Sequence, residues 1–161
     1  MKKIFFVLPL LVLISCSDNS EKISQLQKQI DSLQANVNST YQSGFGEFMT
    51  NIQIHHAKLW FAGINQNWKL AEFEVEEIQE SLEDIQKFQS EREETKTLPI
   101  IIAPLDSVQN AIDDKSVNKF RKSFTLLTNT CNACHKTVKN EFNNIKIPES
   151  PPFSNQIFKI E

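Results

Sequence analysis

Apolar residues recur along most of this chain at steps of three and four, the repeat of an α-helix that buries one face. The first such run covers residues 21–38. Ile23, Leu26, Ile30, Leu33 and Val37 are spaced 3, 4, 3 and 4 apart, with Gln, Lys, Ser and Asp between them. That is the seam of a coiled coil, and it predicts a stalk helix able to pair with a second copy. After Ser43-Gly44 and Gly46 a second stripe holds Phe45, Phe48, Met49, Ile52, His56, Leu59 and Trp60, and Gly63 with Asn65-Gln66-Asn67 is expected to end it.

A third helix, predicted over residues 68–90, turns Trp68, Ala71, Val75, Ile78, Leu82 and Ile85 inward. Glu72, Glu74, Glu76, Glu77, Glu80 and Glu83 are expected to face water, as a solvated face or a docking surface for a basic partner. Residues 91–97 read as a loop before Pro99. Pro104 can open a shorter helix with Leu105, Val108 and Ile112 inward, broken at Asp113-Asp114. Ser116 can cap the last helix, whose stripe of Val117, Phe120, Phe124, Leu127, Cys131, Cys134 and Val138 is expected to run on until Pro148.

The pattern predicts an all-α protein: an antiparallel four-helix bundle over residues 41–147, preceded by a coiled-coil-like N-terminal helix. Residues 148–161 are expected to pack back on the bundle through Phe153, Ile157 and Phe158. With 3 glycines in 161 residues, a sandwich or barrel has too few turns. The net charge is −3, and the acidic balance excludes bulk attraction to nucleic acid.

Residues 1–15 read as a signal peptide, with Lys2 and Lys3 ahead of an apolar run over residues 4–14 that is too short to span a bilayer of roughly 30 Å. Leu13-Ile14-Ser15-Cys16 resembles the lipobox of bacterial lipoproteins, in which the cysteine is acylated and becomes the new N-terminus. Residues 16–40 then comprise the lipidated cysteine, a linker and the stalk helix. Ser17 after the cysteine resembles the sorting signal for the outer membrane, which implies a cell-envelope protein facing the periplasm.

The chemistry is concentrated in Cys131-Asn132-Ala133-Cys134-His135, the C-x-x-C-H attachment motif of c-type haem. On a helix the two thiols lie one turn apart on one face, placed to form thioethers with two haem vinyl groups, and the histidine beside them can bind iron. Cys16 for lipid and two cysteines for haem account for all 3 in the chain. A disulfide-active C-x-x-C belongs at a helix N-terminus in a βαβ setting, and a structural zinc site needs further ligands that no fourth cysteine supplies.

For the other side of the iron, adjacent first and last helices bring Met49 to the level of His135, with His55 and His56 about 10 Å further along the axis. The alternatives are ligation by Met49, an open five-coordinate iron, and ligation by a histidine. His56 and Lys139 are candidate contacts for a haem propionate. Trp60 and Trp68 read as packing.

With these features together the chain resembles the cytochrome c′ and c-556 family, four-helix bundles with C-x-x-C-H on the last helix, over residues 41–145. It is also similar to small bacterial c-type haem proteins that carry His-x-Lys-Leu-Trp-Phe-Ala-Gly, here at residues 56–63, together with Cys-Asn-Ala-Cys-His and the Pro-Phe-Ser-Asn-Gln tail at residues 152–156. The resemblance implies one covalent haem c, His135 as proximal ligand and Met49 as distal candidate. It implies either electron transfer to redox partners at the membrane or binding of nitric oxide or carbon monoxide at an open site. Nothing in the sequence marks an enzyme in its own right. A structural lipoprotein working through its coiled coil is the third reading.

Overall fold

Among the described residues, three helices stop on a residue with positive φ, and none of the three is glycine: Gln66 at 62°, Lys115 at 50° and Lys139 at 61°. They belong to a computed structural model that describes residues 17–40 and 43–160, and every regular element among those residues is helical. The chain divides into two units, residues 1–42 and 43–161. No helix among the described residues is long and apolar enough to cross a membrane. The signal peptide and Cys16 lie outside the described residues.

The first unit contributes α1, Ser17–Thr40. Its seam residues Ile23, Leu26, Ile30, Leu33 and Val37 are between 56 and 66% exposed.

The second unit contains α2 (Phe45–Ile64), α3 (Trp68–Phe88), α4 (Glu93–Thr97), a 3₁₀ turn (Leu98–Ile101), α5 (Ile102–Asp113) and α6 (Val117–Thr137). Helix α2 packs on α3 and α6, and α5 packs on the same two, so the four enclose one core. Leu59, Ile85, Val108, Phe120, Phe124 and Leu127 sit at its centre, essentially without solvent contact. Asn67 caps α3 by accepting from Leu70 N at 3.3 Å, and Ser116 caps α6 by accepting from Lys119 N at 3.4 Å.

The helix ends explain how a chain so poor in glycine makes sharp stops. After α6, Lys139 N donates to Lys136 O at 3.2 Å and Asn140 N to His135 O at 2.7 Å. These paired backward bonds around a left-handed residue satisfy the last carbonyls of a helix. The same pair closes α2, with Gln66 N on Gly63 O and Asn67 N on Ala62 O, and α5, with Lys115 N on Ile112 O and Ser116 N on Ala111 O.

Four sequence expectations are corrected. Helix α6 ends at Thr137 and does not continue to Pro148, because Lys139 turns the chain and Val138 becomes the cap. Residues 91–97 are not all loop: α4 forms there, held by Thr95 Oγ1 donating to Gln89 O at 2.7 Å. Glu74 does not face water; it is 0% exposed, since its place between Ala71 and Ile78 lies on the inner face of α3. Its carboxylate meets His55 Nδ1 at 2.6 Å and Lys58 Nζ at 3.5 Å, both from α2. In the tail, Phe158 packs on Phe61 with ring centroids 5.7 Å apart, whereas Ile157 is 82% exposed.

Candidate functional site

The last turns of α6 and the first half of α2 both contribute to the lining of one cavity of about 280 Å³, near the lower end of ligand-pocket sizes, roughly 300–1,000 Å³. Cys131, Cys134 and His135 from α6, Met49 and His56 from α2, and Asn143 from the segment after α6 all contribute to that lining. Of the residues named from the sequence around the iron, His55 and Lys139 are not part of it; His55 turns to Glu74 instead. Lys139 is exposed and spends its conformation on ending the helix.

Both thiols are free, Cys134 buried and Cys131 partly so. Thr97 Oγ1 donates its proton to Glu94 O at 2.7 Å, so at the 2.9 Å contact with Cys134 Sγ the thiol is the donor. Burial first, and then the neighbouring Cys134, push the Cys131 thiol up to about 11. A redox-active C-x-x-C works through a cysteine with a lowered pKa, and the Cys131 thiol is shifted the other way.

His135 is oriented by the chain beyond the helix. Its Nδ1 lies 2.6 Å from Asn143 O. A carbonyl can only accept, so Nδ1 carries a proton, and in the neutral ring this tautomer leaves the Nε2 lone pair for a ligand. Asn132, inside the five-residue motif, holds that same stretch: its Nδ2 donates to Ile145 O at 2.7 Å and its Oδ1 accepts from Ile145 N at 2.8 Å. No pattern in the sequence announced these roles for Asn132, Asn143 and Ile145.

His56 is fixed differently. Thr128 Oγ1 donates to Phe124 O at 2.9 Å and therefore accepts from His56 Nε2, also at 2.9 Å. The ring lies 4.4 Å from the Phe124 ring centroid, and burial lowers its pKa to about 4, so it is neutral near pH 7. Its Nδ1 then bears a lone pair, which repels a carboxylate and cannot donate to one.

The cavity lining contains no lysine or arginine, and its one carboxylate is Glu94. Arg92 grips Glu94 through Nε at 3.2 Å and Nη2 at 2.8 Å, and that bond keeps the Glu94 carboxyl below its usual pKa. The Arg92 guanidinium lies 5.0 Å from the ring of Phe45, which also lines the cavity. This pair sits in the stretch that the sequence presented only as polar loop. Among the described residues, no three His, Cys, Asp or Glu side chains converge to hold a bare metal ion.

No protein-family model matches the chain, and neither a curated protein nor a solved structure does.

Proposed function

We propose that this protein is a monohaem c-type cytochrome that carries single electrons outside the cytoplasm, tethered to the membrane by lipid on Cys16. One observation carries the reading: both thiols of C-x-x-C-H and the histidine after them line the same cavity as Met49, with His135 Nε2 free to bind iron. Haem brings most of the iron's ligands with it, so a site with one or two protein donors and apolar walls fits haem where it would not hold a bare ion. Cys131 and Cys134 would add their S–H groups across the two vinyl double bonds, a reaction that needs no oxidant. His135 Nε2, together with Met49, would hold the iron. Bound haem supplies a one-electron Fe(III)/Fe(II) couple.

The chain's own residues do the rest. Ile52, Leu98, Ile101 and Leu127 line the site with apolar groups that exclude water. Phe142 lines the same cavity while 85% exposed, so part of the site opens at the surface, where a redox partner can approach. Arg92, held at Glu94, is a candidate cation for a propionate, in place of Lys139 and neutral His56. The fold belongs to the same proposal: an antiparallel four-helix bundle of α2, α3, α5 and α6. The short connections between α2 and α3 and between α5 and α6, together with the pairwise packing of the four helices, support it.

Helix α1 is proposed to pair with a second copy. Ile23, Ile30 and Val37 take one seam position and Leu26 and Leu33 the other, the choice of β-branched and γ-branched residues that favours two parallel strands. The flanking Gln27, Gln29, Gln34 and Asn36 are neutral and do not repel an identical helix. Two lipid-anchored chains meet in that parallel orientation, at a raised effective concentration.

Optical spectra of protein starting after Cys16 and made with haem-c maturation test the function. Sharp reduced bands and no response to carbon monoxide are expected of an electron carrier. A broad high-spin spectrum that shifts with the gas would instead favour a binder of nitric oxide or carbon monoxide. The apolar α2 wall of Phe45 and Ile52, with Met49 only partly buried, is the observation on that side. Absence of covalent haem would end both readings.

A further inference from the structure

We propose that Asn132, which does not itself line the cavity and has no side-chain hydrogen bond to the expected iron ligand, is a positioning residue that sets the electron-donating strength of His135. The inference rests on the haem reading above and deepens it.

The segment after α6 is a strap tied at few points. It leaves the helix through the turn at Lys139, where Asn140 N bonds His135 O at 2.7 Å, and Asn143 N then bonds Asn140 O at 2.9 Å. Beyond that turn, the Asn132 amide clamps Ile145 through both its edges, in the manner of two paired strand residues. Among the described residues, the backbone groups of 141–147 make no other hydrogen bonds apart from the one between Asn143 O and His135 Nδ1. The Asn143 carbonyl is thus fixed between a turn on one side and the Asn132 clamp on the other. Ile147 packs on the core and holds the far end of the strap, but a side-chain contact does not set the rotation of the peptide unit at Asn143.

The chemical consequence follows from the 2.6 Å bond. A carbonyl that close to Nδ1–H draws the proton toward itself and makes the ring a stronger donor at Nε2. A stronger donor favours Fe(III) and lowers the reduction potential. Loosening the clamp lets the carbonyl drift, weakens the donor and favours Fe(II). Asn132 would therefore tune the iron from three bonds' remove, through Ile145 and Asn143.

The test is spectroelectrochemical titration of the haem-loaded wild type, Asn132→Ala and Asn132→Asp, with NMR exchange of the His135 Nδ1 proton as the second readout. Asn132→Asp keeps the acceptor for Ile145 N and loses the donor to Ile145 O, so it should fall between the other two, and it serves alone if the alanine variant does not fold. Asn67→Ala is the control, because it removes the α3 cap and loosens the fold away from the strap. We expect Asn132→Ala to shift the Fe(III)/Fe(II) equilibrium toward Fe(II) by up to about tenfold, about 59 mV for one electron. The Nδ1 proton should also exchange faster, and Asn67→Ala should change neither. An unchanged potential in the Asn132 variants, or an equal shift in Asn67→Ala, overturns the proposal while leaving the cytochrome reading intact. A wild type without covalent haem overturns the reading itself and the proposal with it.

Discussion

The backbone of Gly63 in α2 lies against the ring of Phe120 in α6 so closely that a methyl group at residue 63 would overlap the ring atoms. The sequence reads Gly63 with Asn65-Gln66-Asn67 as the stop of this helix, and α2 does end there, at Ile64; Gly63 itself, the next-to-last helical residue, lets two helices approach. Its lack of a Cβ serves packing, and Gln66 supplies the positive φ. Gly63→Ala is therefore expected to destabilise the fold by about 1–3 kcal/mol through overpacking, against a gain of about 1 kcal/mol in helix propensity. Urea unfolding should show a lower midpoint at unchanged slope. A variant as stable as wild type would mean that Phe120 moves aside without cost.

Met49 has a spectroscopic prediction. If it ligates the iron, Met49→Ala in the haem-loaded protein turns the iron high-spin, opens it to carbon monoxide and lowers the potential, because the thioether raises it. A low-spin spectrum unchanged by the substitution would remove Met49 from the site.

His56 makes stability depend on pH in a defined window. Its pKa is about 4 in the fold and 6.5 when free, so between those values the unfolded chain binds more protons than the native one. The stabilisation is fully present above pH 6.5, falls as pH drops through the window, and levels off below about 4. The loss is on the order of 3 kcal/mol. His56→Gln can still donate to Thr128 and does not titrate, so its unfolding free energy should be flatter over the same range. Equal slopes in the two proteins would assign the acid sensitivity elsewhere.

For α1 the expectation is a concentration-dependent dimer. Sedimentation of the chain lacking residues 1–16 should show self-association that Leu26→Asp with Leu33→Asp abolishes, leaving the helical content of the second unit unchanged. A wild type that stays monomeric at high concentration rejects the pairing.

Much of the helix layout was legible because periodicity reports burial directly. Phe120, Phe124 and Leu127 fall where the stripe of α6 put them, and the Ser116 cap is in place. The joint lining of one cavity by Met49, Cys131, Cys134 and His135 was legible from register. What escaped was set by groups whose type misleads. Glu74 reads as solvated until His55 and Lys58, nineteen and sixteen positions earlier, are seen to close on it from α2. The end of α6 escaped because a lysine adopts the left-handed turn where glycine would have announced it. Arg92 and Glu94 escaped because a polar stretch looks the same whether it is open loop or the border of a cavity.

The strap beyond α6 changes what counts as the portable unit of this site. A chain stopped at residue 139 would keep all five residues of the attachment motif and lose the carbonyl that selects the tautomer of its histidine. It would also leave Asn132 with nothing to grip. Grafting the motif onto another helix would transfer the points of attachment without the tuning. Residues 131–145, taken whole, are the smallest piece that carries both.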